Sequence, residues 1–251
     1  MRLGALLGPI ADPARADTLA EQARTFAGEG FSSLWSAQAI GRGFMMTDPF
    51  VALTVAATVA EDVEIGTAVL QVPLYHPMEL AHRVFSLQQL CGERLILGVG
   101  AGSTAEDFRA FGRDYDSRFS NFGRSVAALR RIFADGMHEG SNLSPWPAVA
   151  GGPPVFLGSW GNGVTQAARE FDGWIASANY RTVDEVAAAA ERYRAAGGGR
   201  SVVSTIQVGG KTDLGELRDK LDRFAAAGFD DAVVMILPGG PAPLAVRRLV
   251  E

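Results

Sequence analysis

Hydrophobic residues fall into short runs separated by longer amphipathic stretches, and the two alternate along the whole chain. Arg2 to Leu7 (RLGALL) is apolar and stops at Gly8-Pro9. Asp17 to Gly30 carries Leu19, Ala20, Ala23, Phe26 and Ala27 at helical spacing and ends on a glycine. FSSLWS (31–36) predicts a second strand. Thr47-Asp48-Pro49 sets a capping residue beside a proline, ahead of FVALTVAATVA, and predicts a helix start. Val63 to Val72 is the third strand and Pro77 to Leu90 the helix behind it. Arg94 to Val99 is the fourth, followed by a short helix and a long amphipathic one over Ser117 to Ala134.

The second half repeats the rhythm. Pro154 to Gly158, Gly173 to Ser177, Val202 to Val208 and Asp231 to Leu237 read as strands. Val164 to Phe171, Thr182 to Ala196, Leu214 to Ala227 and Pro241 to Val250 read as the helices that follow them. Eight strands alternating with eight helices demand a parallel sheet covered by helices. Eight units over 251 residues fit one closed (β/α)8 barrel, residues 1–251, with a doubly wound open sheet as the alternative. The irregular stretch HEGSNLSPWPAVAGGP (138–153) falls between the fourth and fifth strands and reads as a loop inside that barrel.

Composition changes this picture little. The chain is 47% hydrophobic and 20% charged, with a formal net charge of −5. That supports one large core and, without any Lys/Arg run, argues against nucleic acid or an acidic membrane as partner. Lys211 and Lys220 are the only lysines. Cys91 is the only cysteine, which leaves no disulfide within these residues and no multi-cysteine metal site. The first apolar run is too short for a signal peptide, and no segment approaches membrane-spanning length. The expectation is a soluble, cytoplasmic protein.

In such barrels chemistry sits where the C-terminal ends of the strands open into loops. Two of those loops stand out. Gly98-Val-Gly-Ala-Gly-Ser-Thr follows the fourth strand; its glycines suit either close approach to a ligand or a tight turn. Gly158-Ser-Trp-Gly-Asn-Gly follows the fifth strand and opens a helix. Ser159 or Asn162 there can cap the helix, and the same turn can hold a phosphate. His76, His82 and His138 show no metal-ligand spacing. His76 reads as a structural hydrogen-bonding residue, the other two as surface residues. Asp48, Asp107 and Asp116 have capping or loop explanations as good as catalytic ones. The mouth is therefore furnished with loops but lacks evident acid–base machinery, which suits an enzyme whose cofactor carries the chemistry. No catalytic residue is assigned.

Four stretches carry a family resemblance: GFSSLWSAQ (30–38), DPFVALTVAATVAEDVEIGTAVLQVPLYHP (48–77), ERLILGVGAGSTAEDFRAFGRDYDSR (93–118) and PPVFLGSWGNGVTQAAREFDGWIAS (153–177). In them the chain resembles the bacterial luciferase-like flavin-dependent oxidoreductases. The resemblance implies a (β/α)8 barrel binding FMN, or alternatively the deazaflavin coenzyme F-420, at its C-terminal mouth. It implies Ala68 and Val69 behind the flavin ring, in a β-bulge over Gly66 to Val69 whose Ala68–Val69 peptide is cis. The glycines of 98–102, Gly100 and Gly102 among them, would approach the ring or ribityl chain with Ser103, and Gln38 would be a further cofactor-binding residue. Ser159, Trp160, Gly161, Asn162 and Gly163 would hold the phosphate end. Many members carry an acidic residue and a histidine after the second strand, where this chain has Gln38 and Ala39. The stretch between strands four and five is also short for the family.

The function implied is reduced-FMN-dependent monooxygenation of a small apolar organic substrate, with a separate flavin reductase as a partner. The alternatives are an F-420-dependent reductase or dehydrogenase, whose oligoglutamate tail would need Arg42 and Arg181, and a non-catalytic flavin-binding protein. Met45, Met46, Trp160, Tyr75 and Tyr180 are the expected substrate-side residues. Pro49 to Ala60 and Pro77 to Leu90 carry apolar residues on more than one face, which points to a homodimer.

Overall fold

The computed structural model describes residues 1–8 and 18–251. Its elements run β1 (Arg2–Leu6), α1 (Leu19–Gly28), β2 (Ser33–Ser36), α2 (Pro49–Val59), β3 (Glu64–Thr67), β4 (Leu70–Gln71), α3 (Pro77–Cys91) and β5 (Leu95–Gly100). Next come α4 (Ala105–Ala110), α5 (Arg118–Asp135) and a hairpin of β6 (Met137–His138) and β7 (Ser141–Asn142). The chain then alternates through β8 (Val155–Gly158), α6 (Gly163–Glu170), β9 (Gly173–Ser177), α7 (Val183–Ala195), β10 (Arg200–Val208), α8 (Leu214–Ala226), β11 (Asp231–Ile236) and α9 (Pro243–Arg247). Pro9 and Asp17, at the edges of the first strand and helix read from the sequence, lie outside the described residues.

Every pairing in the large sheet is parallel, in the order β3-β2-β1-β11-β10-β9-β8-β5-β4, and β3 also pairs with β5. β3 and β4 are two halves of one strand, so the sheet closes as an eight-stranded (β/α)8 barrel. The stretch expected as an irregular loop at 138–153 contains the β6–β7 hairpin instead.

Side chains divide the strands into two faces. Leu6, Trp35, Ala68, Ile96, Phe156, Ile175, Val202 and Val233 fill the barrel interior. Leu34, Ile65, Leu97, Leu157, Trp174, Val203 and Val234 pack outward on the helices. Room for the large inner rings comes from missing side chains: a Cβ on Gly66 would lie 2.4 Å from the Trp35 ring.

Helix starts follow the local chemistry. Thr18 and Thr182 form capping boxes with Glu21 and Glu185, and Asp48 accepts from the amides of Phe50 and Val51 ahead of Pro49. His76 caps α3 through Nδ1, which accepts from Met78 N at 3.3 Å. His138 corrects an expectation: its side chain is only 12% exposed and packs edge-on against the His76 ring, 5.9 Å between centroids.

The N-terminal end of the barrel is closed by ion pairs. Arg200 donates to both oxygens of Glu64, at 2.8 and 2.6 Å, and to Asp231 at 2.8 Å. Arg2 reaches Asp231 at 2.8 Å and Glu64 at 3.2 Å. Burial alone would depress the Arg200 guanidinium; the hydrogen bonds to Glu64 and Asp231 outweigh it and raise its pKa. A shallow depression of about 530 Å³, lined by Met1, Arg2, Arg200, Phe229 and Asp230, lies over this plug. Among the described residues no helix is long and apolar enough to cross a membrane.

Candidate active site at the barrel mouth

The third barrel strand is irregular at its C-terminal end. Gly66 pairs with Ile96, yet Leu70 pairs with Val99, so four steps on one strand oppose three on the other. That extra residue is a β-bulge, and the Ala68–Val69 peptide within it is cis. The bulge shifts the alternation: Ala68 belongs to the interior with Val69 packed beside it, while Leu70 packs outward and Gln71 turns to the mouth.

The glycines after strand four serve this bulge. A Cβ on Gly98 would lie 1.9 Å from the Thr67 carbonyl oxygen, and one on Gly100 2.9 Å from a Val69 methyl. Across the gap, a Cβ on Gly158 would lie 2.6 Å from the other Val69 methyl. Protein atoms thus fill the space next to Gly98 and Gly100 that the sequence left open to a ligand.

Beside the bulge runs a buried chain of hydrogen bonds. Gln38 Nε2 donates to the Tyr75 hydroxyl at 2.7 Å, and Gln38 Oε1 accepts from Gln71 N at 2.8 Å. Gln71 Nε2 donates to Asp107 Oδ2 at 2.5 Å. Asp107 also accepts from Ile40 N at 3.1 Å and Arg42 Nε at 2.8 Å, and Arg42 Nη2 completes a bidentate pair. Asp107 is fully buried, and Gln71 Oε1 is buried without a partner, facing Gly102.

Electrostatics follow from these contacts. Burial alone would raise the Asp107 carboxyl; the hydrogen bonds from Arg42, Gln71 and Ile40 outweigh it and hold it below the usual carboxylate range. Burial pushes the Tyr75 phenol up to about 12, so it stays protonated.

The turn between β8 and α6 has a different character. Asn162 sits at the N-cap of α6 with no side-chain capping bond, and the buried Ser159 hydroxyl has no partner. The capping explanation for these two residues is therefore not realised. The amides of Gly163 and Val164 are used within the turn by the carbonyls of Trp160 and Gly161. Gly161 has φ +61 and open space where a Cβ would be. The Arg181 guanidinium stacks 3.8 Å from the Trp160 ring centroid, which brings a cation to the same turn. Ser159 Oγ, the free face of Gly161 and Arg181 together suit an anionic group.

The remaining expected residues are scattered. Met45 and Tyr180 are 87% and 88% exposed, so they stand in solvent rather than forming a closed apolar wall. Met46 is half-buried; Ser103 is exposed, and its carbonyl accepts from the Tyr115 hydroxyl at 3.0 Å. Nothing in the sequence marks Asp107, Gln71 and Arg42 as a unit. Asp107 lies in the first turn of α4 and looks like an ordinary helix-start acid. Only its zero exposure and its partners, more than thirty positions away, reveal the network.

A closed parallel barrel with a bulged third strand and a polar, partly unsatisfied C-terminal mouth defines the class: a (β/α)8 barrel built to carry chemistry at that end. The luciferase-like monooxygenase family model matches residues 3–234, and the chain belongs to that family.

The 4-hydroxyprotoasukamycin monooxygenase of Streptomyces nodosus subsp. asukaensis is 33% identical over 104 residues, 41% of this chain and 28% of that protein. The oxygenating constituent of 3,6-diketocamphane monooxygenase from Pseudomonas putida, solved with FMN, superposes at TM-score 0.70 with 19% identity, covering 88% of this chain and 70% of that one. The coenzyme F420-dependent tetrahydromethanopterin reductase of Methanopyrus kandleri gives TM-score 0.77 at 15% identity, covering 99% and 96%. The chain spans from about a quarter to about half of the length of the first curated relatives it matches.

Proposed function

We propose that the chain is a flavin-dependent oxidoreductase, a reduced-FMN-using monooxygenase acting on a small apolar organic substrate. The carrying observation is the β8–α6 turn, with its unpartnered Ser159 hydroxyl, open Gly161 and adjacent Arg181. A phosphate monoester fits that donor set. Trp160, Asn162 and Gly163 complete the turn. Ala68 and Val69 supply an apolar backing for one face of a flat ring, and Gln38 and the Gly102–Ser103 pair flank it. When bound, the flavin supplies the redox chemistry. The chain's own contribution is to anchor the phosphate, back the ring and hold neutral amides at the mouth. No ionisable group in that set is poised to move a proton, since Asp107 is locked by Arg42 and Tyr75 stays protonated.

F-420 remains the second reading, because the Arg181 guanidinium also suits a carboxylate tail. Arg42, the other base named for such a tail, is held by Asp107, which favours FMN. The reading includes a homodimer, supported by Val51 on α2 and Leu90 on α3, apolar and more than half exposed. It also includes a separate reductase to supply reduced flavin.

Titration with FMN, riboflavin and F-420, followed by fluorescence, tests it. FMN should bind tightest, and Ser159→Ala should weaken FMN by about tenfold, the loss of one hydrogen bond to a charged group. Riboflavin, which lacks the phosphate, should not notice the change. Equal affinity for FMN and riboflavin in the wild type would remove the phosphate assignment, and preference for F-420 would select the second reading.

A further inference from the structure

A second bulge lies directly across the barrel from the first. On β10, Val203 pairs with Ala232 and Ile206 with Val234, so three steps oppose two. Counting round the closed sheet, β3–β4 is the third barrel strand and β10 the seventh, four strands apart in either direction. The extra residue falls at Ser204–Thr205, and Thr205 has φ +61. A β-branched residue in the left-handed region is an outlier that only its surroundings can hold in place.

The consequence is again a change of phase. Val202 packs in the interior; regular alternation would put Ile206 and Val208 there too and send Gln207 outward into the apolar helix layer. Instead Ile206 and Val208 pack outward, and Gln207 is exposed at the mouth. Its Nε2 donates to Asn179 Oδ1 on the loop leaving β9. Ser177, paired in register with Ser204, stands at the C-terminal end of β9, and Thr205 Oγ1 lies 3.3 Å from Ser204 Oγ. Met235, level with Gln207 on β11, adds an apolar neighbour that packs on the interior.

We propose that Ser177, Asn179, Thr205 and Gln207 form a substrate-recognition ledge facing the Ala68–Val69 bulge, and that it takes a neutral carbonyl or hydroxyl group on an otherwise apolar substrate. All four are uncharged, so an anion or cation gains no opposite charge from them. The linked amides of Gln207 and Asn179 offer N–H donors beside an acceptor, Gln207 Oε1, that accepts from no group among the described residues. A site built to hydrogen-bond a substrate oxygen rejects a hydrocarbon of the same shape, because its polar groups would then lose water without replacement. The two bulges have one effect from opposite sides: each turns a glutamine, Gln71 or Gln207, to the mouth. The inference deepens the proposed function and rests on it for the ring that would share the mouth.

The test compares four ligands of one size by saturation-transfer NMR, with and without FMN: cyclohexanone, cyclohexanol, methylcyclohexane and cyclohexanecarboxylate. The ketone and the alcohol should bind the wild type at least about tenfold better than the hydrocarbon and the carboxylate. Gln207→Leu should remove that preference. Gln207→Glu, which accepts but no longer donates, should lose the ketone and keep the alcohol, a split that a merely structural role would not produce.

Thermal unfolding and FMN titration of each variant accompany these measurements and should stay at wild-type values. A wild type that binds the ketone and alcohol no better than methylcyclohexane overturns the proposal, as does a preference that survives in Gln207→Leu. If FMN fails to bind the wild type while the ligand pattern holds, the flavin reading falls and the ledge stands.

Discussion

The two ends of the barrel are built from similar parts and do opposite things with them. At the N-terminal end Arg2, Glu64, Arg200 and Asp231 neutralise one another, two positive against two negative. At the C-terminal end one ion pair, Arg42–Asp107, is buried to the side, and Arg181 stands at the β8–α6 turn among amides, hydroxyls and glycines. Two buried polar atoms there, Ser159 Oγ and Gln71 Oε1, lack partners, whereas Asp231 Oδ1 at the closed end, also without a hydrogen bond, still lies 2.8 Å from the Arg2 guanidinium. Polar groups that satisfy each other stabilise a fold; polar groups left open cost stability and are kept where a ligand can meet them.

The largest effect is expected at the closed end. Asp231 is fully buried between two arginines, so Asp231→Asn should lower stability by about 3 kcal/mol, as expected for a buried pair losing one charge. FMN affinity at the mouth should not change. Chemical unfolding paired with a flavin titration checks both halves, and a loss of FMN binding without loss of stability would reverse the roles assigned to the two ends.

A smaller effect is expected from Asp107→Asn, about 2 kcal/mol, because Asp107 faces one arginine where Asp231 faces two. Here pH sharpens the test. The Asp107 carboxyl is held below its ordinary value of 3.8, so its contribution is complete above that value and is lost as pH falls through the folded one. The stability gap between wild type and Asp107→Asn should therefore be constant near neutrality and shrink below about pH 4. A gap that widens in acid would mean the carboxyl is protonated in the native state.

Much of the fold was legible because it rests on local pattern. The alternation of apolar runs and amphipathic stretches marks every barrel strand, and Asp48-Pro49 and Thr182 mark helix starts through chemistry within three residues. The irregularity at Ala68–Val69 was legible only through a family resemblance, while the glycine-rich turn at 158–163 stood out from its own residues. The Asp107 network draws on residues 38–42, 71, 75 and 107, and no window along the chain contains it. The glycines at 98, 100 and 158 were open to a ligand reading because the atoms that fill their space, on Thr67 and Val69, belong to another strand. The β10 bulge left no trace: RSVVSTIQV contains no glycine or proline and reads as an unbroken strand, yet it turns Gln207 to the mouth.

A crystal structure of the protein grown with FMN would show which end of the barrel receives the cofactor. The phosphate should lie within hydrogen-bonding distance of Ser159 Oγ, with the ring against Ala68 and Val69. Flavin density over Arg2 and Arg200 at the N-terminal end, or a mouth whose Ser159 meets only water while FMN sits elsewhere, would contradict it.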